Sequence, residues 1–574
     1  MKMGTKRFIA ILVALFPLLS FGQGDLVIIN GVGNRDIPPA YRISMNPSII
    51  DTVLGTQVQQ YPLLSLRFPT QIKVDTIKPV TIKVEPKLQQ LYSTYVKVGI
   101  GSELMPLGEI YFDSKRSRKY VYGVHAQHLS SFGNIPNYAP AQFDRTRTNV
   151  FGAINEKNYS LRGDVHYNNQ GLHYYGLVDS TQSVDRSTIA QRYQDVGGIF
   201  AFDSHKKDSA QLNYKINVAY NHFNSKKPSD SLSAWRGSEN YVAIGASGWY
   251  RQGKEVFAAE ANVRYNGYRY GTQSDTLQFA ADSGLVLNNT VINLKPTVTT
   301  QLWNNRFRAI IGFDFVVDAR AQTKVHLYPV AEVKYSLFND IFIPFIGVRG
   351  GLKQRTFRST VDDNEFVLSN LQLKNENTSI DVYGGFKGSL SSRVSFNVNA
   401  SFARVKDKAF FITDTTFSVG NKFDLIYDTL NQTTIEASVS YQLNEKLKVD
   451  AIGRYYSYVL MNNTNAWNLP QWQAGLRGSY NLYDKFLVNL DVNFEGGRKA
   501  LVYDAMESDV TLENGQLAKR MGLITDINLG LEYRYNKRIS AFIQFNNLAS
   551  QRYYRWYNHP VQIFQVMGGI TARF

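Results

Sequence analysis

Long stretches of this chain alternate between apolar and polar positions. Ala210, Leu212, Tyr214, Ile216, Val218 and Tyr220 interleave with Gln211, Asn213, Lys215, Asn217 and Asn221. Val394, Phe396, Val398, Ala400 and Phe402 interleave with Ser395, Asn397, Asn399 and Ser401, and Phe486, Val488, Leu490, Val492 and Phe494 with Asn489, Asp491, Asn493 and Glu495. Side chains alternate across a strand, so each run predicts a strand with one face in an apolar medium and the other against water. Soluble sheets favour strands of about 5–6 residues. These runs instead match the roughly 9–11 residues with which a tilted strand crosses a bilayer.

The connections give a second, independent pattern. Short turns are expected at Glu156-Lys157-Asn158, Arg251-Gln252-Gly253-Lys254, Asn304-Asn305, Phe338-Asn339-Asp340, Asn444-Glu445-Lys446, Tyr483-Asp484-Lys485 and Asn536-Lys537. In strict alternation with them lie longer polar connections near 131–147, 177–190, 224–238, 271–287, 357–376, 406–432 and 500–522. Short turns at one end and long loops at the other are the layout of a bacterial outer-membrane barrel. Strands counted from Tyr95 to Phe574 number about 22, an even count that leaves both chain ends in the periplasm and the long loops outside. Pro296 interrupts the apparent strand Ile292–Leu302, where a bulge is expected. No fixed repeat unit of a propeller or solenoid is present.

The beginning of the chain reads differently. Lys2, Lys6 and Arg7, the apolar run Phe8–Leu19 and then Ser20-Phe21-Gly22 predict a secretory signal peptide over residues 1–22. Residues 23–92 carry Pro38, Pro39, Pro47, Pro62, Pro69, Pro79 and Pro86 and two echoing stretches, Ile72-Lys73-Val74-Asp75 and Ile82-Lys83-Val84-Glu85. They predict a periplasmic segment, a partial plug or docking arm, ahead of a barrel over 93–574. The chain lacks cysteine, which excludes disulfides, cysteine metal sites and a cysteine-linked lipid anchor. A mean hydropathy of −0.27 excludes a helical membrane bundle, whereas 13% aromatic residues suit a barrel with aromatic girdles. The net charge of +16 falls to +13 once the three signal-peptide cations are removed. An exported protein is not expected to meet nucleic acid, so anionic headgroups or a charged lumen are the better destinations for that charge.

The end of the chain carries the most specific signal. Phe564, Val566, Gly568, Ile570, Ala572 and the terminal Phe574 fall on one strand face. This resembles the C-terminal strand by which the barrel-assembly machinery recognises outer-membrane proteins, and it marks Phe564, Val566, Ile570 and Phe574 as assembly-signal residues. Asn546-Asn547-Leu548 through Tyr553, Trp556, Tyr557 and Pro560 resemble the final hairpin of TonB-dependent receptor barrels. The resemblance covers the chain from about residue 88 to the end and implies an all-β, transmembrane antiparallel barrel in the outer membrane. Residues 23–92 are shorter than the family's plug domain, so the match is to a relative without a full plug.

Charges on the lipid face at mid-depth are unfavourable by about 2–4 kcal/mol for Arg or Lys. Lys215, Glu260, Arg264, Lys295, Asp491, Glu495, Asp526, Glu532 and Arg534 are therefore expected to line the lumen. The eight histidines match no zinc-ligand spacing. Asp362-Asp363-Asn364-Glu365 reads as a solvated acidic stretch of an external loop. Nucleophile elbows, phosphate-cradling glycine loops and dinucleotide fingerprints are missing from the sequence. The expectation is thus not an enzyme and no cofactor, but solute uptake or a channel across the outer membrane. A docking subunit of an envelope complex, with a partner on residues 23–92, is the alternative; a passive porin is a weaker third.

Overall fold

The computed structural model describes residues 91–177, 184–206, 211–226, 235–272, 285–444, 446–504 and 508–574. The expected signal peptide and all but the last residues of the 23–92 segment lie outside them. A single 22-stranded antiparallel sheet dominates, its strands paired with their neighbours in chain order. The ring closes where the first strand, Thr94–Gly101, pairs with the last, Gln565–Arg573. Phe574 lies at this seam, its carbonyl accepting from the amides of Ser93 and Thr94 at 2.7 and 3.1 Å. Closure gives each strand two partners, as a membrane-spanning sheet requires where water cannot satisfy an edge.

The alternation in the sequence becomes two faces of one wall. At one level Phe200, Val218, Ile244, Val263 and Ile292 form a continuous row across neighbouring strands. All of them are exposed on the outside, Val218 by 41% and Ile244 by 48%. One residue over, Asn217, Gly245, Asn262 and Asn293 form the matching row on the inner face. A Cβ at Gly245 would sit 2.6 Å from the side-chain oxygens of both Asn217 and Asn262, so a larger residue at 245 requires these two amides to shift. Phe564, Val566, Ile570 and Phe574 fall on or beside the outer face, with Ile570 56% and Phe574 67% exposed.

Near the short-turn end the outer face carries an aromatic belt. Phe202 stacks on Tyr159 and Tyr214 at 5.8 and 5.4 Å, Tyr250 on Phe257 at 5.2 Å, and Trp303 meets Phe307 and Tyr335 at 5.3 and 5.9 Å. Such rings suit the headgroup level of a bilayer. The turns beneath them run through left-handed backbone: Trp303, Asn304 and Asn305 have φ of 52°, 55° and 66°, and Phe338, Asn339 and Asp340 nearly the same. Asn and Asp tolerate that region best, which accounts for their recurrence there.

The structure corrects several expectations. Pro296 creates no bulge: Leu294 pairs with Phe315 and Thr297 with Gly312 in unbroken register, with two pairings skipped between them. Gly312 makes this possible, because a Cβ there would lie 2.3 Å from the Pro296 carbonyl. The presumed loop at 406–432 is mostly strand, since Val394–Thr413 and Phe423–Asn444 leave only a short connection. A strand of 22 residues extends about 70 Å at the usual rise, far beyond the ~25 Å apolar band, so the wall stands high above the membrane at that end. Nor is every connection at that end long, because Arg320–Gln322 alone joins Phe307–Ala319 to Thr323–Tyr335. Among the described residues the barrel is otherwise all-β, with one short helix, Phe357–Asp363.

The two faces predict opposite responses to one substitution. Arg at Val218, Val398 or Leu490 is expected to lower barrel stability by about 2–4 kcal/mol, the penalty of a midplane charge in lipid. Arg at Asn217, Asn397 or Asn489 is expected to be well tolerated. The folded fraction, read from heat-modifiable migration of each variant, checks this, and equal losses on both faces would refute the register.

Candidate functional site at the barrel mouth

A barrel turns its apolar side chains outward to lipid, so its interior has little hydrophobic material of its own. Here the largest buried apolar cluster lies at the long-connection end, which is external in outer-membrane barrels. It gathers wall residues Leu172, Tyr174, Tyr193, Phe223, Tyr268 and Phe423 around Phe357, Val361, Phe366, Val367, Leu368 and Leu371. The latter six belong to one connection, residues 354–375, which leaves the strand Ile343–Lys353 and turns inward instead of projecting into solvent.

An inward connection must find partners for its peptide groups where water is scarce. Tyrosine hydroxyls of the wall supply them. Tyr174 donates to the Val367 carbonyl and Tyr193 to that of Glu365, both at 3.2 Å. Tyr268 donates to the Ser369 carbonyl and accepts from the Leu371 amide at 3.2 Å. Tyr427 donates to the Gln372 carbonyl at 2.8 Å and accepts from the Lys374 amide at 3.1 Å. A bent two-bond bridge, Phe423 amide to Phe366 carbonyl and Leu368 amide to Phe423 carbonyl, adds a parallel rung at 3.0 Å each.

Charge fixes the helix at the near end of this connection. Thr356 caps it, accepting from the Ser359 amide at 3.0 Å while the Ser359 hydroxyl accepts from the Thr356 amide at 2.9 Å. The first-turn amides of Phe357 and Arg358 then donate to the Glu239 carboxylate at 2.6 and 3.1 Å. Glu239 is 2% exposed, and an anion at a helix N-terminus is stabilised by the unsatisfied N–H groups there. Arg358 reaches Asp195 at 2.9 Å, and Arg355 pairs with Asp363 at 3.1 Å. Phe357 inserts among Phe223, Tyr268 and Tyr193 at ring distances of 5.4, 5.2 and 6.3 Å. Gly237 admits it: a Cβ at that position would lie 2.7 Å from the Phe357 ring.

The acidic stretch Asp362–Glu365 is therefore only partly the solvated external loop expected: Asp362 and Asp363 are exposed, whereas the next two residues turn inward. Asn364 is buried and Glu365 is held by Arg145 at 2.8 Å and by Gln170, because the loop carries these residues into the mouth. At the far side the final hairpin completes the closure. His559 is fully buried against Phe366, Tyr175 and Phe423, at 4.2, 5.1 and 5.4 Å between rings, and its Nδ1 bonds the Tyr557 carbonyl at 2.9 Å. Tyr175 reaches the Pro560 carbonyl at 2.9 Å. Burial pushes the His559 imidazole down to about 4.

The residues expected on the lumen face separate into groups. Glu260 and Lys295 are direct cross-strand partners, Arg264 shares the face four residues along from Glu260, and Asp314 stands on the strand beyond that of Lys295. Asp491 pairs with Arg477 at 3.2 Å, Glu495 with Arg498 at 3.3 Å, and Glu532 with Arg534 and Arg573 at 3.8 Å each. Asp526 lies opposite Asn493. Lys215, elsewhere on the wall, pairs with Asp203 at 3.2 Å. Of these only Glu495 touches the closure, through Arg555 of the final hairpin at 3.8 Å and through Arg498, which donates to the Tyr554 and Arg555 carbonyls. The residues that anchor the inward connection, Glu239 and the tyrosines, went unnoticed in the sequence; the only trace is tyrosine on the polar register at the outer ends of strands. Among the described residues no group of three or more His, Asp or Glu converges as for a metal ion.

Solved structures share this fold. The barrel is similar to the pyoverdine outer membrane receptor FpvA from Pseudomonas aeruginosa PAO1, with a TM-score of 0.62 at 12% identity over 85% of this chain and 79% of that one. It is similar to the copper transporter OprC, with 0.60 at 12% over 84% and 80%, and to the ferric-catecholate import receptor Fiu from E. coli K12, with 0.59 at 8% over 85% and 82%. The resemblance to TonB-dependent receptors read from the final hairpin thus extends to the architecture of the whole barrel. No family model and no curated protein matches the chain.

Two outcomes are expected at the closure. Glu239→Gln replaces an anionic acceptor by a weaker amide; hydrogen bonds to charged groups contribute about 1.5–3 kcal/mol, so amide exchange at Phe357 and Arg358 is expected to accelerate at least tenfold. Unchanged exchange would remove Glu239 from the anchoring role. His559 is neutral when buried and protonates near pH 6.5 when released, so the closed arrangement is fully stable above pH 6.5. It loses up to about 3 kcal/mol as the pH falls from 6.5 towards 4. Protection of the Leu368 and Phe423 amides, corrected for intrinsic rates, is expected to fall across that window and to be flat in His559→Phe.

Proposed function

We propose that this chain is an outer-membrane uptake protein whose solute enters at the loop-bearing mouth and passes through the barrel lumen. One observation carries the reading: a closed 22-strand wall, apolar outside and polar inside, has its mouth crossed by a connection held by named wall residues. A purely structural barrel has no need of an ordered closure at one end. Three solved structures of the same fold are named as a receptor, a transporter and an import receptor, which supports uptake as the role of this architecture.

In this reading Lys215, Glu260, Arg264, Lys295, Asp491, Glu495, Asp526, Glu532 and Arg534 line the passage. Paired charges of both signs give a wetted wall without strong selection for one sign. Residues 23–92, with their prolines and two β-prone stretches, act from the periplasmic side by occluding the lumen or docking a partner. Phe564, Val566, Ile570 and Phe574 serve barrel assembly.

Lys353 and Glu376 are cross-strand partners, so a short turn can replace residues 355–374 without disturbing the wall. That deletion and removal of residues 26–86 are each expected to leave the barrel folded. Single-channel conductance in a planar bilayer is expected to be highest when both are removed together. A folded double deletion that does not conduct would refute a passage through this lumen.

A further inference from the structure

Beside the inward connection lies a cleft of about 600 Å³. Its walls are the outer ends of the strands Glu255–Thr272, Leu285–Leu302 and Thr323–Tyr335 on one side and the two limbs of the 354–375 connection on the other. The described lining is rich in cations: Arg320 and Lys324 from the wall, Arg355 and Lys374 from the connection, against the carboxylate of Asp407. Asn266 and Asn289 add amides.

The cations are not equivalent. Arg320 is held by Asp318 through two bonds at 3.2 and 2.9 Å, and Arg355 by Asp363. Arg355 is nonetheless only 4% exposed, and its Nε has no hydrogen-bond partner. Asn266, 1% exposed, is hydrogen-bonded to the Glu239 carboxylate. Lys324 and Lys374 stand exposed on opposite sides of the cleft, with no carboxylate within ion-pair distance among the described residues; Lys374 lies over the Tyr427 ring at 5.2 Å. A pair of ammonium groups facing one space, with Asp407 as the one carboxylate of the described lining and Asp318 taken up by Arg320, is complementary to clustered anionic oxygens.

We propose that this cleft binds a small soluble organic anion bearing several carboxylate or phosphate groups, gripped between Lys324 and Lys374. The proposal rests on the uptake reading and names the chemical class of its solute. Phosphate oxygens are also offered by lipid headgroups, but the wall register favours a soluble source. Val325 and Leu327, the outward neighbours of Lys324, are 60% and 67% exposed, so Lys324 is on the inward face, away from lipid.

The test is calorimetric titration of the full-length protein in detergent with citrate and, separately, inorganic pyrophosphate. Saturable binding of at least one anion is expected, weakened tenfold or more by Lys324→Glu and by Lys374→Glu, less by the Gln variants, and unchanged by Lys537→Glu at the short-turn end. Heat-modifiable migration confirms that each variant is folded. Absence of saturable binding, or binding indifferent to both lysines, overturns the proposal. Loss of citrate binding on prior saturation with lipid A makes the cleft a headgroup site and overturns it as well. Binding as expected in a protein that does not conduct after both deletions would leave the cleft standing and remove only the passage.

Discussion

Every backbone N–H and C=O that leaves water must find a partner, and the whole molecule is arranged around that demand. In the wall it is met by closure: the seam between Thr94–Gly101 and Gln565–Arg573 turns an open sheet, with two unsatisfied edges, into a ring. At the mouth the same demand is met by tyrosine hydroxyls. Tyr268 and Tyr427 each donate to a carbonyl and accept from an amide of the inward connection. A phenol can do both at once, so it replaces the missing neighbouring strand.

That substitution explains where the hydrophobic core lies. Most apolar residues of the wall point out to lipid, and only small clusters such as Val291, Val316, Tyr328 and Leu352 are buried on its inner side. Phe357, Phe366 and Leu371 can be buried only because their peptide groups are already satisfied, and the aromatic bodies of the same tyrosines pack against them. The carboxylate of Glu239 at the helix start and the neutral imidazole of His559 at the opposite flank hold the two ends. One is an anion set against backbone donors, the other a titratable ring kept uncharged by burial. The closure is thus assembled from polar contacts and sealed by apolar ones.

Function follows from the contrast between the two regions. The wall below the mouth carries charges that are paired across neighbouring strands, such as Arg477 with Asp491 and Lys215 with Asp203. Such pairs wet a surface without holding a solute. The cleft beside the inward connection instead collects cations from two separate elements, and its donors exceed its acceptors. Selection is expected where charge is unbalanced, and passage where it is balanced.

The barrel is legible in the alternation of apolar and polar positions along the chain. A period of two fixes which side chains meet lipid, and that pattern is local, so Val218 and Asn217 could be assigned to opposite faces without coordinates. The strand count, the Asn- and Asp-rich turns and the terminal aromatic strand were legible for the same reason. The mouth, in contrast, emerges only once the chain is folded. Asp362-Asp363-Asn364-Glu365 has the composition of a solvated loop, and nothing within it reveals that Arg145, more than two hundred residues earlier, holds Glu365. Pro296 shows the same limit in the wall: its accommodation depends on Gly312 of the next strand. Periodicity reports the medium around each residue, but a closure is made of single contacts between residues far apart in the chain, and those exist only once the ring has brought them together.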